Sequence, residues 1–390
     1  MYLSSMAKAL VGQAAFKVLA KAKELERQGK NVLHFEIGEP DFDTPGNIKN
    51  AAIKALKKGE TNYVNAAGVL ELREAVSEEI KKTRGFKPST DQVLIGPGAN
   101  PMIYFALACV ADRGDEILLP DPGFPSYLAA AAALGLKPVY VPLKEENDFR
   151  MNPDDVAELM TPKTRMIIMN SPQNPTGAVM TKDEVKGLAD IAEDKKVYLF
   201  SDEIYSKLLY DEKHYTPAVR DECSERTLLI DGFSKAYAMT GWRLGYCVGP
   251  KELISKMELL LQTIVSCVPS FVQYGGVEAL KGPQEFVSSM REDYRRRRDV
   301  VVPGLNKIPG FSCVYPQGAF YAFPNIRETG MKSDELADYL LEKAGVAVLP
   351  GTAFGPNGEG YLRFSYATSL EVIKEAFERI TKLMEERGVE

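Results

Sequence analysis

Short apolar runs and amphipathic stretches alternate through the middle of the chain. Residues 166–169 are continuously apolar, residues 182–193 place their apolar side chains three and four positions apart, and residues 197–200 are again apolar. Apolar strands separated by amphipathic helices are typical of a parallel sheet that is covered by helices on both faces. We therefore predict that this part of the chain forms an α/β layer.

The same patterns predict the remaining elements. Strands are expected at residues 32–37, 92–95, 116–119, 138–141, 227–230 and 361–365, and helices at residues 15–28 and 101–111, through the alanines at 129–133, and from Leu370 onward. Residues 311–324 have the pattern of a hairpin. Because longer helices follow Pro250, we predict two domains. The large one has a mostly parallel sheet (residues 46–284), and the smaller α+β one is built from both termini (residues 1–45 and 285–390).

Composition narrows the classes of function. The chain has 390 residues, a net charge of −6 and a pI near 5.4, which argues against nucleic acid or an anionic membrane surface as a partner. No apolar run reaches the roughly 18 residues of a membrane span. The five cysteines are scattered without a Cys-x-x-Cys pair, and the only histidines are His34 and His214. We therefore expect a cytoplasmic protein without a metal site.

Chemically suggestive side chains follow three of the predicted strands. Asn174 comes after the strand at 166–169, Asp202 and Tyr205 after the next, and Ser234 and Lys235 after the strand at 227–230. In an open parallel sheet, ligands bind beyond the carboxyl ends of the strands. Asn-Pro turns and Asp helix caps are common separately, but three such endings on consecutive strands indicate one site.

A fourth strand end has the character of a phosphate site. Gly96, Gly98, Ala99 and Asn100 precede Pro101, which suits the first turn of a helix. Glycines permit close backbone approach, and free amides at a helix N-terminus favour an anion. A nicotinamide dinucleotide motif would need a glycine where Pro101 stands, so we regard that alternative as the weaker one.

Lys235 is the residue with the most specific chemistry. A buried lysine near another cation, here Arg243, loses its proton readily, and its neutral amine can form a Schiff base. A Schiff-base lysine, a phosphate site, a carboxylate and a phenol together fit pyridoxal phosphate (PLP) as cofactor. Asp202 would pair with the pyridine nitrogen, Asn174 and Tyr205 would bind the phenolic oxygen, and Arg243 would bind the phosphate.

Nearly the whole chain resembles the class I and II aminotransferases, the fold-type I PLP enzymes, and especially their aspartate-aminotransferase-like branch. The motifs that carry this resemblance occur in the family's order: Gly38-Glu39-Pro40-Asp41-Phe42, Tyr63, Leu70-Glu71-Leu72-Arg73, Asn174-Pro175-Thr176-Gly177, Ser201-Asp202-Glu203-Ile204-Tyr205, the segment 235–245, Pro350-Gly351, and Arg363 within Leu362-Arg363-Phe364-Ser365.

The resemblance implies a role for each site residue. Lys235 would form the Schiff base and shuttle a proton, while Phe124 would stack on the pyridine ring. Arg363 would bind the substrate α-carboxylate with Asn174 and the Gly38 backbone. Tyr63 would reach the phosphate of the neighbouring subunit, which implies a homodimer with shared active sites. The residues expected to hold the phosphate within one subunit are Gly98, Ala99, Asn100, Ser234 and Arg243.

The implied activity is transfer of an amino group from an L-amino acid to a 2-oxo acid by a ping-pong mechanism, of the aspartate/2-oxoglutarate type. Two departures leave alternatives open. Gly232 stands where many relatives carry a phosphate-binding serine, so Ser234 would have to replace it. We also find no arginine that must bind a side-chain carboxylate, so alanine, aromatic and branched-chain donors remain possible. A β-lyase or synthase on the same fold, and a PLP-sensing transcription regulator, are further alternatives.

Overall fold

The computed structural model describes residues 2–10, 12 and 14–388. The helices are α1 (Ser5–Ala9), α2 (Ala14–Arg27), α3 (Gly46–Lys57), α4 (Leu70–Arg84), α5 (Asn100–Val110), α6 (Pro125–Leu134), α7 (Pro153–Leu159), α8 (Lys182–Lys195), α9 (Lys251–Val265), α10 (Ser270–Lys281), α11 (Glu285–Leu305), α12 (Ser333–Tyr339) and α13 (Leu370–Glu386). The strands are β1 (Leu33–His34), β2 (Val93–Gly96), β3 (Glu116–Asp121), β4 (Lys137–Pro142), β5 (Thr164–Asn170), β6 (Tyr198–Asp202), β7 (Thr227–Gly232), β8 (Gly245–Val248), β9 (Tyr321–Ala322), β10 (Val346–Ala347), β11 (Leu349–Pro350) and β12 (Leu362–Ser365).

Within the described chain, the largest sheet has seven strands in the order β2–β8–β7–β6–β5–β3–β4. Strand β8 runs antiparallel to both of its neighbours, and all other neighbouring strands are parallel. Asn170 lies opposite Asp202, and Asp202 lies opposite Ile230. The carboxyl ends of β5, β6 and β7 therefore meet at one edge of the sheet, and the predicted mostly parallel sheet is confirmed.

Helices cover both faces of this sheet. In β5, Met166 and Ile168 belong to one apolar cluster with residues of α5 and α6, whereas Ile167 and Met169 belong to another with residues of α8. Alternate strand residues point to opposite faces, so each face of β5 is packed against helices. Helix α8 begins with a capping box, in which Thr181 accepts from the Glu184 amide and the Glu184 carboxylate accepts from the Thr181 amide.

The beginning and the end of the chain share a second core. Strand β1 pairs in parallel with β10, and the rings of Phe35 and Phe364 are 5.8 Å apart. The apolar face of α13, with Ile373, Phe377 and Ile380, packs into the same cluster. The domain bounds given above remain a proposal that this shared core supports. None of the described helices has the length and apolar character needed to cross a membrane.

Two predictions about secondary structure are wrong. Residues 311–324 do not form a two-stranded hairpin: only β9 is a strand there, and it pairs with β12, while Ser312 makes a single bridge to Asn325. Of the strand predicted at residues 32–37, only Leu33–His34 pairs with another strand. Phe35 still makes two backbone hydrogen bonds, donating to the Ala347 carbonyl at 2.8 Å and accepting from the Ser365 amide at 2.9 Å. After it, side chains occupy backbone acceptors: Arg363 donates to the Glu36 carbonyl at 2.6 Å, and Lys235 donates to the Gly38 carbonyl at 2.6 Å.

Candidate active site

A cavity of about 500 Å³ lies at the carboxyl ends of β5, β6 and β7. The fold brings the following predicted site residues to its wall: Gly38, Ala99, Asn100, Phe124, Asn174, Asp202, Tyr205, Ser234, Lys235, Arg243 and Arg363. These residues come from distant parts of the sequence, and the parallel sheet brings their positions together because its strands end at one edge.

Lys235 is half-buried in the cavity wall, and its amine is influenced by charges of both signs. Its Nζ donates to the Gly38 carbonyl at 2.6 Å and lies about 6.0 Å from the ring centre of Tyr205. Burial lowers the pKa of Lys235 to about 8; Glu39 opposes this, while the guanidinium groups of Arg363 and Arg243 add to it. At pH 7 about a tenth of Lys235 is therefore a neutral, nucleophilic amine, far more than for an ordinary lysine.

Asp202 is a buried carboxylate that the protein holds with two donors. The Tyr127 hydroxyl donates to Oδ2 at 2.6 Å, and the Ile204 amide donates to Oδ1 at 3.2 Å. Burial raises the pKa of Asp202 to about 6, and both hydrogen bonds oppose this effect. A cationic ligand group beside the carboxylate would favour its ionised form, as a protonated pyridine nitrogen does.

Arg363 is a buried guanidinium with unused donor capacity. Nη1 donates to Asn174 Oδ1 at 3.1 Å and Nη2 to the Glu36 carbonyl, while the rings of Tyr321 and Phe354 lie 4.6 and 4.9 Å from Cζ. Its Nε is buried without a hydrogen-bond partner, and burial lowers its pKa. A buried cation with an unpaired donor is costly, and a bound carboxylate would satisfy it.

The turn before α5 forms a tight cradle beside Arg243. Gly98 has φ +88°, and a Cβ there would collide with the Arg243 guanidinium. A Cβ on Gly245 would lie 2.6 Å from the Ala99 amide nitrogen. Only glycine therefore fits at these two positions. The cradle opens onto the N-terminus of α5, whose free amides favour an anion, and Arg243 is held beside it by a 2.8 Å bond to the Thr240 carbonyl.

These features fit the parts of PLP. The cradle and Arg243 suit a phosphate, Asp202 suits a protonated pyridine nitrogen, and the Lys235 amine suits an aldehyde. Phe124 lies on the cavity wall with its ring 5.6 Å from that of Tyr127. Ser234 is buried and also lines the cavity.

Two predicted site residues do not line the cavity: Gly98, which lies in the cradle beside Arg243, and Tyr63. The Tyr63 side chain is 86% exposed on the described chain. At this exposed position Tyr63 is accessible to a neighbouring subunit, and its role there stays a prediction.

Several residues of the site were missed at the sequence level. Tyr127 binds Asp202, Tyr321 shares a 2.6 Å hydrogen bond with Tyr205, and Asn170 joins the Asp202 carbonyl to the Asn174 amide. Asn170 could have been found, since it is the polar residue that ends an apolar strand. Tyr127 and Tyr321 carry no such signal, because a helical or apolar pattern assigns both to the core.

Comparison with known proteins agrees with this geometry. A family profile described as aminotransferase class I and II matches residues 30–380. The chain is 47% identical over 371 residues to an aspartate aminotransferase of Pyrococcus horikoshii, covering 94% of this chain and 95% of that protein. It is 43% identical to aromatic-amino-acid aminotransferase 2 of Thermococcus litoralis, covering 95% and 96%. The solved structure of Thermus thermophilus aspartate aminotransferase with maleate matches with a TM-score of 0.94 at 39% identity, over 98% of this chain and 100% of that one.

Proposed function

The chain belongs to the class I and II aminotransferases, a family of PLP-dependent transaminases, and we propose that it moves the amino group of L-aspartate to 2-oxoglutarate by a ping-pong mechanism. The observation that carries the proposal is a single cavity that is lined by Asp202, Arg363 and Lys235, whose pKa is lowered. The 47% identity to an aspartate aminotransferase supports aspartate as the donor.

Two residues act directly on the substrate. Arg363 binds the α-carboxylate, which satisfies its buried Nε, and Asn174 holds the guanidinium in place through the 3.1 Å bond. The neutral amine of Lys235 takes the proton from substrate Cα, because its lowered pKa keeps it partly deprotonated. PLP, when bound, supplies an electron sink for the negative charge that develops at Cα.

The remaining residues hold the cofactor. Asp202 would bind the pyridine nitrogen and keep it protonated, and Tyr127 fixes the orientation of the carboxylate. Asn174 and Tyr205 would bind the phenolic oxygen, and Phe124 would pack against the ring. The phosphate would be held by the backbone at Gly98, by Ala99 and Asn100 at the start of α5, and by Ser234 and Arg243.

We further propose a cytoplasmic homodimer with shared active sites. The exposed ring of Tyr63 supports the dimer, since the partner subunit's phosphate site would cover it. The five cysteines are all free, as is usual for a protein of a reducing compartment.

An aromatic donor is the second candidate. Among the described residues that line the cavity, the cations are Lys235, Arg243 and Arg363. All three are assigned to the cofactor or to the α-carboxylate, so the described wall of this cavity provides no further cation for a side-chain carboxylate. The 43% identity to an aromatic-amino-acid aminotransferase points the same way.

A half-reaction with single amino acids tests both candidates. The PLP-loaded enzyme is mixed with aspartate, alanine, valine or phenylalanine, and formation of pyridoxamine phosphate is followed by absorbance. We expect aspartate to give the highest kcat/KM. A higher value for phenylalanine would establish the second candidate instead, and release of ammonia with recovery of bound PLP would show elimination rather than transfer.

A further inference from the structure

A buried arginine outside the cavity, Arg84, contacts β7 and the residue that follows β6. Arg84 is the last residue of α4, and its side chain is 3% exposed. Its Nη2 contacts Glu203 Oε2 at 3.0 Å and Asp231 Oδ2 at 2.9 Å, and its Nε also donates to Glu203 at 3.0 Å. Nη1 donates to the Thr83 hydroxyl at 2.8 Å. The planar guanidinium thus joins two buried carboxylates.

Each of these carboxylates lies close in sequence to a residue of the active site. Glu203 follows Asp202 at the end of β6, and Asp231 lies in β7, four residues before Lys235. Backbone pairing between β6 and β7 ends here, with the Glu203 amide donating to the Ile230 carbonyl at 2.8 Å. Beyond this bond, Arg84 and the Ser206 hydroxyl, which donates to Asp231 Oδ2 at 3.0 Å, connect the two chain segments.

The charges in this cluster depend on Arg84. Burial acts to raise the pKa of Glu203, but His214, at 2.7 Å, and Arg84 lower it to about 2. Burial raises the pKa of Asp231 although Arg84 opposes this. Without the guanidinium, two buried carboxylates would face each other, which strongly disfavours the arrangement. A lysine could not replace the arginine fully, because a single ammonium lacks its planar fork.

We propose that Arg84 is a positioning residue that fixes the spacing between Asp202 and Lys235 by binding Glu203, which follows β6, and Asp231, near the end of β7. The proposal rests on the function proposed above, in which these two residues act on opposite ends of the cofactor. A displacement of one segment by about 1 Å would misplace either group and cost roughly 100-fold in rate.

The test separates positioning from stability with a set of variants. Arg84→Met removes the guanidinium, Arg84→Met with Asp231→Asn also removes one of the two carboxylates, and Arg84→Lys keeps the charge. Arg298→Met is the matched control, since Arg298 has a side chain that is 6% exposed and ion pairs with Asp211 and Asp299, neither of which lines the cavity. The readouts are Tm, the PLP dissociation constant, the half-reaction rate at saturating PLP and donor, and the midpoint of the pH-dependent absorbance of bound PLP.

We expect the Arg84→Met/Asp231→Asn protein to recover much of the Tm lost in Arg84→Met. Its half-reaction rate should still be roughly 10- to 100-fold lower, with a shifted absorbance midpoint. Arg84→Lys should recover part of the rate, and Arg298→Met should lower Tm alone. A wild-type rate and midpoint in the double variant would overturn the proposal and leave Arg84 a purely structural residue. If wild-type protein transfers no amino group, the proposed function fails, yet the PLP affinity and the absorbance midpoint still test Arg84 without substrate.

Discussion

At the scale of single residues, the environment of Lys235 determines its reactivity. Its amine is buried, and the cations of Arg363 and Arg243 disfavour the protonated form more than an open surface would. The pKa of an ordinary lysine is about 10.4. A reagent that reacts with neutral amines would therefore distinguish Lys235 from other lysines by the environment of its amine, because the side chains themselves are identical.

Lys235 should therefore react with an amine-acylating reagent at lower pH than other lysines. In PLP-free protein we expect the labelling rate of Lys235, measured by peptide mass spectrometry, to rise with a midpoint near pH 8. Arg243→Met should move that midpoint upward, because removing a neighbouring cation favours the charged amine. A midpoint near the ordinary lysine value in the wild type would contradict this account of the site.

Tyr127 should control how firmly Asp202 holds the cofactor. Tyr127→Phe removes the 2.6 Å hydrogen bond to Asp202 Oδ2, which raises the pKa of the carboxyl further and weakens its ion pair with the pyridine nitrogen. A hydrogen bond to a charged group contributes about 1.5–3 kcal/mol, so PLP affinity should fall by roughly 10- to 100-fold.

A matched variant separates this effect from the general loss of a phenol. Tyr361 donates to Glu145 at 2.9 Å and does not line the cavity. Tyr361→Phe should leave the PLP dissociation constant, measured by fluorescence titration, unchanged. Equal losses of affinity in both variants would show that the Tyr127 hydroxyl has no specific role.

At the scale of elements, strands with continuous apolar runs were predictable, whereas short or irregular segments were not. Strands β5, β6 and β7 were located because burial on both faces requires apolar residues at successive positions. The site residues after these strands were found because they are polar or charged side chains that directly follow an apolar run. The 311–324 prediction failed because Phe311 and Phe320 are apolar for a different reason: they fill the core shared by both chain ends, and their backbone pairs elsewhere.

The carboxylate of Asp121 connects β3 to the loop that carries Phe354, so the contact between these two elements depends on the charge of one side chain. Asp121 at the end of β3 is buried, and its carboxylate accepts hydrogen bonds from Asn357, including one from Nδ2 at 2.8 Å. Burial raises the pKa of Asp121 to about 6, although the bonds from Asn357 oppose this. The same loop places Phe354 beside the Arg363 guanidinium.

This contact predicts a pH-dependent stability. Because the pKa of Asp121 is higher in the folded state than its ordinary value, folding stability contributed by the protonated carboxyl is lost as pH rises from about 4 through 6. Asp121→Asn abolishes this titration. The free energy of unfolding of the variant should therefore rise relative to wild type between pH 4 and 7, by on the order of 2 kcal/mol. Urea denaturation at pH 4 and at pH 7 measures the free energy of unfolding of both proteins. If the difference between variant and wild type is the same at both pH values, the raised pKa of Asp121 is contradicted.

At the scale of the whole molecule, the sheet explains why the cofactor chemistry could be predicted from the sequence and the identity of the amino-group donor could not. Cofactor chemistry depends on residues fixed at strand ends, such as Lys235 and Asp202, whose order along the chain is visible in the sequence. The rest of the cavity wall, which would contact a donor side chain, combines residues from distant parts of the chain, such as Phe16 and Tyr321, that come together only in the fold.

Mixed dimers test the shared active site that Tyr63 implies. Tyr63→Phe removes one hydroxyl from the phosphate of the other subunit and should weaken PLP binding by about 1.5–3 kcal/mol. Lys235→Ala should retain PLP binding but lose turnover. A hybrid of the two chains has one site with an intact lysine from one subunit and an intact tyrosine from the other. At a PLP concentration too low for the Tyr63→Phe homodimer, the mixture should therefore be more active than either protein alone.

Mixing Lys235→Ala with Asp202→Asn is the matched control: both residues belong to the same subunit's cavity, so every hybrid site lacks one of them and no activity should return. If native mass spectrometry shows full subunit exchange and the Tyr63→Phe mixture still gains nothing, Tyr63 does not act across the dimer.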